Sequence, residues 1–299
     1  MDARLVRARR HCRAGATLKD TVVTLVVVSL CFLVIFAMLP VLSNRHGCGN
    51  RQIKDGTQVR GLHQGLVLFA QGNRDEYPLP SLYDKNNTTI DPGTRPAEAK
   101  DTTANVFSTL IYNGYFSPEL CVSPAEQNGS IVRDNDYQQS APKAAAKPEQ
   151  ALWDPAFSAD FSAGRTSNFS YANMHLAGRR RKVWTNLFNA THAIVGNRGP
   201  EVASIAANGS AVLKNPRSTT LLIHGGRTTW EGNIAYDDNH VNFETSTTPE
   251  SAPRLTKEGK TKPDCLFFDE SSEEPWPNNF LTIITEGGMN EQDAKTIWD

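Results

Sequence analysis

The chain has 299 residues, a formal net charge of −1 and a hydrophobic fraction of 39%. That balance lacks the strong basic excess of a nucleic-acid binder, so no nucleic-acid partner is expected. Many of the apolar residues fall in the first 42 positions. The remainder of the chain is rich in Asn, Thr, Ser, Gly and Pro, and reads as one domain of short strands joined by long loops.

Residues 1–15 form a basic leader with Arg4, Arg7, Arg9, Arg10 and Arg13, and Lys19 adds a further positive charge just beyond it. From Thr21 to Leu42 no charge interrupts an apolar run. Such a run is about 20 residues long, enough for a helix to cross a hydrocarbon core. Residues 16–45 are therefore expected to form a transmembrane helix, helical because backbone groups in lipid need internal partners. Pro40 would remove one hydrogen bond near its outer end. A basic flank stays in the cytoplasm, which puts residues 46–299 on the outer side of the cytoplasmic (inner) membrane, with membrane lipid as a partner. A cleaved secretory signal would have a shorter apolar region and a small-residue site, and Ser43-Asn44-Arg45-His46 is not one.

Residues 46–75 continue the helix, with a break expected near Gly47 and Gly49. Ile53, Val59, Leu62, Leu66 and Phe69 recur at the spacing of one helix face. Gly56, Gly61 and Gly65 each weaken a helix by up to about 1 kcal/mol relative to Ala. Pro78, Pro80, Asp91-Pro92-Gly93 and Pro96 punctuate a loop over 78–100. A second helix runs from Asp101, as N-cap, to Tyr112, with Val106, Phe107, Leu110 and Ile111 on one face. Residues 125–150 read as an exposed polar insertion. Strands are expected at Thr219–His224, Asn233–Tyr236 and His240–Phe243, the last two joined by a tight Asp237-Asp238-Asn239 turn. Leu266–Phe268 and Leu281–Thr285 would add edges. Helices first and antiparallel strands later define an α+β class.

Four stretches carry a resemblance. Gly15-Ala16-Thr17-Leu18-Lys19-Asp20 resembles a prepilin signal, with Gly15 last in the leader and Ala16 first in the mature chain. Thr17 and Leu18 match, whereas Asp20 stands where the family has Glu and Ala16 where it has Phe or Met. Cys48 to Pro80 is similar to the segment after the anchor in prepilin-like proteins of the planctomycete type. Phe116 to Pro124 resembles their Cys-Pro-Ser segment, with Val122 inserted. His224, Asn233, Asp238, Asn239 and His240 are similar to their C-terminal H-x9-DG region, with a longer spacer and Asn239 replacing Gly. Residues 130–215 match nothing in that pattern.

The resemblance implies a long N-terminal transmembrane helix continuing into a helix packed on a small antiparallel sheet, with loop-rich insertions. It implies a non-enzymatic structural subunit of a type II secretion or type IV pilus-like assembly. Its partners would be a prepilin peptidase and other pilin-like subunits, with no cofactor. An acidic side chain at the helix start can pair with the free amine of a neighbouring subunit. Cys48 and Cys121 both lie in family-like stretches and would form a disulfide in an oxidising compartment. Cys12 and Cys31 fall before or within the anchor, so Cys265 is a competing partner for either and one of the three stays unpaired.

Two further groupings have the chemistry of a site and a simpler reading beside it. His224, Asp237, Asp238 and His240 have metal-ligand chemistry, but turn geometry alone accounts for the Asp and Asn residues. The liganding pattern of calcium-loop pseudopilins is missing. The Arg179-Arg180-Arg181-Lys182 run would meet anionic lipid or an acidic subunit, or stand as a solvated loop, the commoner outcome. Sequons at Asn87, Asn128, Asn168, Asn189 and Asn208 mark surface loops. No nucleophile elbow, P-loop, zinc spacing or dinucleotide fingerprint occurs, so no catalytic, cofactor-binding or metal residue is expected. The alternative to an assembling subunit is a membrane-tethered extracytoplasmic binding or surface-interaction domain that never assembles.

Overall fold

The computed structural model describes residues 18–206, 208–257 and 259–299, without the side chains of Asp20, Lys257 and residues 34–48. The leader-junction residues Gly15 and Ala16 and the side chain of Asp20 lie outside the described residues. The chain divides into two compact units, Met1–Gly49 and Asn50–Asp299. In the first, Val22, Val23, Leu25, Val26, Val27, Leu30, Phe32 and Leu33 are exposed along helix α1, which spans Leu18–Gln71. Among the described residues no helix is long and apolar enough to cross a membrane. This overturns the transmembrane helix of the expected fold class. The expected break at Gly47 and Gly49 is absent, since α1 is a single 54-residue helix.

The second unit is α+β. Its strands are β1 (Tyr171–Met174), β2 (Ala193–Asn197), β3 (Val202–Ile205), β4 (Ala211–Leu213), β5 (Gly232–Tyr236), β6 (Val241–Glu244), β7 (Arg254–Lys257), β8 (Lys260–Pro263), β9 (Leu281–Glu286) and β10 (Lys295–Ile297). Six of them form one antiparallel sheet in the order β10-β9-β1-β2-β5-β6, and β3-β4 and β7-β8 are separate hairpins. The sheet is thus larger than the small one expected. The short helices are α2 (Pro80–Tyr83), α3 (Thr103–Tyr112) and α4 (Gly178–Arg181).

The apolar stripe of α1 packs into the core through Val59, Leu62, Leu66 and Phe69, and α3 through Val106, Phe107, Leu110 and Ile111. Phe107 stacks on Phe169 with ring centroids 4.2 Å apart. Ile53 departs from the stripe and is exposed. The glycines of α1 have a packing reason. A Cβ at Gly56 would lie 2.9 Å from Asn233 Oδ1, one at Gly61 2.8 Å from Leu120 Cδ2, and one at Gly65 2.6 Å from the Phe116 ring. Their missing side chains let the helix sit close to the hairpin and the 116–120 segment.

Several local expectations are corrected. Thr219–Leu222 is a 3-10 turn, not a strand. Ser218 caps it through Thr220 N, and the Asp299 carboxylate accepts from Thr219 N, so side chains satisfy backbone groups that a strand would have paired. The α3 N-cap is Thr102, whose side chain accepts from Asn105 N. Asp101 instead accepts from Ser81 N and Ser81 Oγ, each at 2.7 Å. Leu266–Phe268 is a turn, while β9 lies inside the sheet between β10 and β1. Hairpin β5–β6 forms as expected, with Ile234 opposite Asn242 and Asn239 at φ 69° in its turn.

Gly196 on β2 faces β5, and a Cβ there would lie 2.6 Å from the Asn233 carbonyl oxygen and 2.4 Å from Ile234 Cδ1. Because backbone blocks it, Gly196→Ala is expected to destabilise the folded chain by about 2 kcal/mol, the range for overpacking. Urea unfolding midpoints of the two proteins check this.

Candidate functional site

Helix α1 carries polar residues on its buried face. Asp55 precedes Val59 by one helical turn, and His63 follows it by one, so both point inward with Val59 and Leu62. Each meets the β5–β6 region. Asp55 is fully buried. Its Oδ1 accepts from Ser123 Oγ at 2.5 Å and from Tyr171 OH at 2.9 Å. Its Oδ2 accepts from Asn233 Nδ2 at 2.7 Å and lies 2.9 Å from His224 Nε2. One carboxylate thereby joins α1, β1, β5 and the segments around residues 123 and 224. Burial alone would raise the Asp55 pKa, but hydrogen bonds from His224, Ser123 and Asn233 outweigh it, and the net direction is down.

Two turns further along α1, His63 Nδ1 lies 3.1 Å from Asn239 Oδ1. Tyr77 OH lies 3.4 Å from His63 Nε2 and donates to Asp237 Oδ1 at 2.7 Å. The other oxygen of Asp237 accepts from Leu187 N at 2.7 Å and Asn189 N at 3.3 Å. Burial lowers the His63 pKa, with a partial opposing effect from Asn239. Burial raises the Tyr77 pKa, reinforced by the neighbouring Asp237.

Three of the five resemblance-marked residues come together on one seam, in two groups. His224 and Asn233 meet Asp55, and Asn239 meets His63. Asp238 and His240 pair with each other at the half-exposed tip of the hairpin, outside the seam. His224, Asp237, Asp238 and His240 are thus divided among three local networks, and among the described residues no group of three or more His, Cys, Asp or Glu is placed to hold a metal ion. Asp55, His63, Tyr77, Ser123 and Tyr171 were missed in the sequence. The available signal was a charged residue in register with an apolar helix stripe.

Cys121 and Cys265 are buried free thiols, and Cys31 is exposed and free. The expected Cys48–Cys121 pairing involves Cys48, whose side chain lies outside the described residues. Burial pushes the Cys265 thiol up to about 12.

The basic run is not a solvated loop. Arg180 is fully buried, donating to Asn278 Oδ1 at 2.7 Å and pairing with Asp269 at 2.5 Å. Arg179 stacks over Trp276 at 4.1 Å, and Arg181 Nε lies 3.4 Å from Asp101 Oδ2. The run reads as solvated in sequence because its counter-charges lie about 80–90 residues away on either side. Near Arg180 sit His175 and His192, both buried. Burial, with the Arg180 charge adding to it, holds each histidine down to about 4.

Comparison of the chain with protein-family models, curated proteins and solved structures finds no match.

The seam and the histidines each generate a measurable outcome. Asp55→Ala leaves four buried donors without their acceptor and is expected to cost about 3 kcal/mol or more by urea unfolding. His175 and His192 have folded pKa values of about 4, below the ordinary 6.5, so the unfolded chain binds more protons in between. Stability is then complete above pH 6.5, falls as pH drops, and levels off below 4. The full loss approaches about 3 kcal/mol per histidine. A His192→Gln variant with an unchanged slope of stability between pH 6.5 and 4 would count against that assignment.

Proposed function

We propose that the chain is a non-enzymatic, prepilin-like structural subunit whose residues 50–299 form a head outside the cytoplasm. The observation that carries this reading is the polar seam. His224, Asn233 and Asn239, which carry the resemblance, are used to seat a helix on a sheet rather than to face a substrate. Such a head suits a subunit whose identity lies in its surface while the helix is held at fixed register. The exposed apolar residues between Val22 and Leu33 supply a surface that packs against like helices, since a contiguous apolar patch favours association. A prepilin peptidase acting after Gly15 would free Ala16 as the amino terminus, and the partners would be other pilin-like subunits and membrane lipid.

A second reading is a surface-interaction domain that does not assemble. It is favoured by Leu187 and Phe188, which are exposed at the tip of the loop held by Asp237, with Phe188 in the left-handed region at φ 55°. A bulky residue there is strained, and such strain clusters at ligand-contacting sites.

Amino-terminal sequencing of protein from its native membrane fraction, with crosslinking of intact cells, separates the readings. The assembling subunit is expected to begin at Ala16 and to give a ladder of homotypic crosslinks. Retention of Met1 with only monomeric species would overturn it in favour of the second reading.

A further inference from the structure

The loop after α2 holds a group of three residues that the seam does not involve, Asp84 and Lys100 buried and Asn87 half-buried. Asp84 is buried, and its carboxylate is fixed by the next few residues of the loop. Its Oδ1 accepts from Thr88 N at 2.7 Å and Thr88 Oγ1 at 3.1 Å, and its Oδ2 from Thr89 N and Ile90 N, both at 3.1 Å. Lys100, also buried, reaches into this loop and donates from Nζ to the Asp84 carbonyl oxygen and to Asn87 Oδ1, the latter at 2.8 Å. A simple ion pair would draw the ammonium onto the carboxylate. Instead Nζ stands 3.6 Å from Asp84 Oδ2 and closer to the carboxamide. Asn87 sits at φ 52°, in the left-handed region that asparagine adopts more readily than most residues.

We propose that Lys100 and Asn87 condense into an intramolecular amide, with Asp84 moving the proton. A C=O bond of about 1.2 Å places Asn87 Cγ no more than about 4 Å from Nζ. A small side-chain rotation then gives the 3–3.5 Å of a near-attack arrangement. Nζ, as ammonium, gives one proton to Asp84 Oδ2. Its freed lone pair forms the Nζ–Cγ bond, and the tetrahedral centre collapses with rupture of Cγ–Nδ2. Nδ2 takes one proton from Nζ and leaves as ammonia, which accepts the proton held on Asp84 and departs as ammonium. An ammonium and a carboxamide become a secondary amide and an ammonium ion, so atoms and charge balance and no oxidant is needed. Amides and amines do not condense at useful rates in solution. Fixed placement supplies effective molarities of 10⁵ M and above, and the burial of Lys100 and Asp84 limits water around the attacking amine. The product is a covalent staple across the 84–100 loop, independent of whether the chain assembles.

Tryptic mapping of the full chain, purified folded and then denatured, tests this. Trypsin cuts after Lys85, and beyond Lys100 the next basic residue is Arg133. The bond is expected to block cleavage after Lys100 and to yield an 86–133 fragment lighter by about 17 Da, the mass of the ammonia released in the acyl transfer. Lys100→Arg is expected to restore cleavage at position 100 and full mass, and Asp84→Asn to slow or abolish the mass loss. Recovery of an unmodified 86–100 peptide from the wild-type chain would overturn the proposal. So would a light fragment that persists in Lys100→Arg, because that would place the ammonia loss on an Asn cyclising with its own backbone.

Discussion

The fold of residues 50–299 depends on one buried carboxylate. Asp55 enters the core on a helix, where an ionised group without partners would cost several kcal/mol. It is tolerated because four donors from four different parts of the chain converge on it. Those donors would themselves be orphaned without it. The interaction therefore specifies more than it stabilises. An apolar residue at 55 would pack in many registers, whereas a carboxylate that must meet Ser123, Tyr171, His224 and Asn233 permits one. The second polar node, His63 with Tyr77, Asp237 and Asn239, fixes the same helix two turns on, so both rotation and translation are set.

The glycines of α1 belong to the same logic. Gly56 lies where Asn233 must approach, one residue from Asp55, so the small residue and the carboxylate are two halves of one contact. The cost in helix propensity at Gly56, Gly61 and Gly65 is recovered as close packing against Asn233, Leu120 and Phe116. Arg180 does for α4 what Asp55 does for α1. It is a buried charge whose partners, Asp269 and Asn278, come from a distant part of the chain.

What was legible in the sequence was local. The stripe Val59, Leu62, Leu66 and Phe69, the face Val106, Phe107, Leu110 and Ile111, and the β5–β6 hairpin with its Asp-Asp-Asn turn all follow from periodicity and turn chemistry. The centre of the sheet was not legible. Strand β1, Tyr-Ala-Asn-Met, and strand β2, Ala-Ile-Val-Gly-Asn, are short and buried throughout, so neither alternates. The turn at Thr219–Leu222 has the β-branched composition of a strand, but a capping serine and the Asp299 carboxylate override it. The transmembrane expectation rested on an uninterrupted apolar run, but among the described residues no helix is long and apolar enough to cross a membrane. His224, Asn233 and Asn239 were visible as a pattern, but their partners on α1 were not, because nothing local pairs residue 55 with residue 224.

The strand order has a consequence for the growing chain. Strand β1 sits between β2 and β9, and β9 is made about a hundred residues later. At roughly 5–20 residues per second, that edge of β1 waits on the order of 5–20 s for its partner. Throughout that interval its amide and carbonyl groups form an open template, available to any extended segment nearby. The brevity of β1, four residues with an asparagine among them, limits how well a stray strand can hold there. A sheet whose β9–β10 side is added last is thus guarded during synthesis by the shortness of the strand left open.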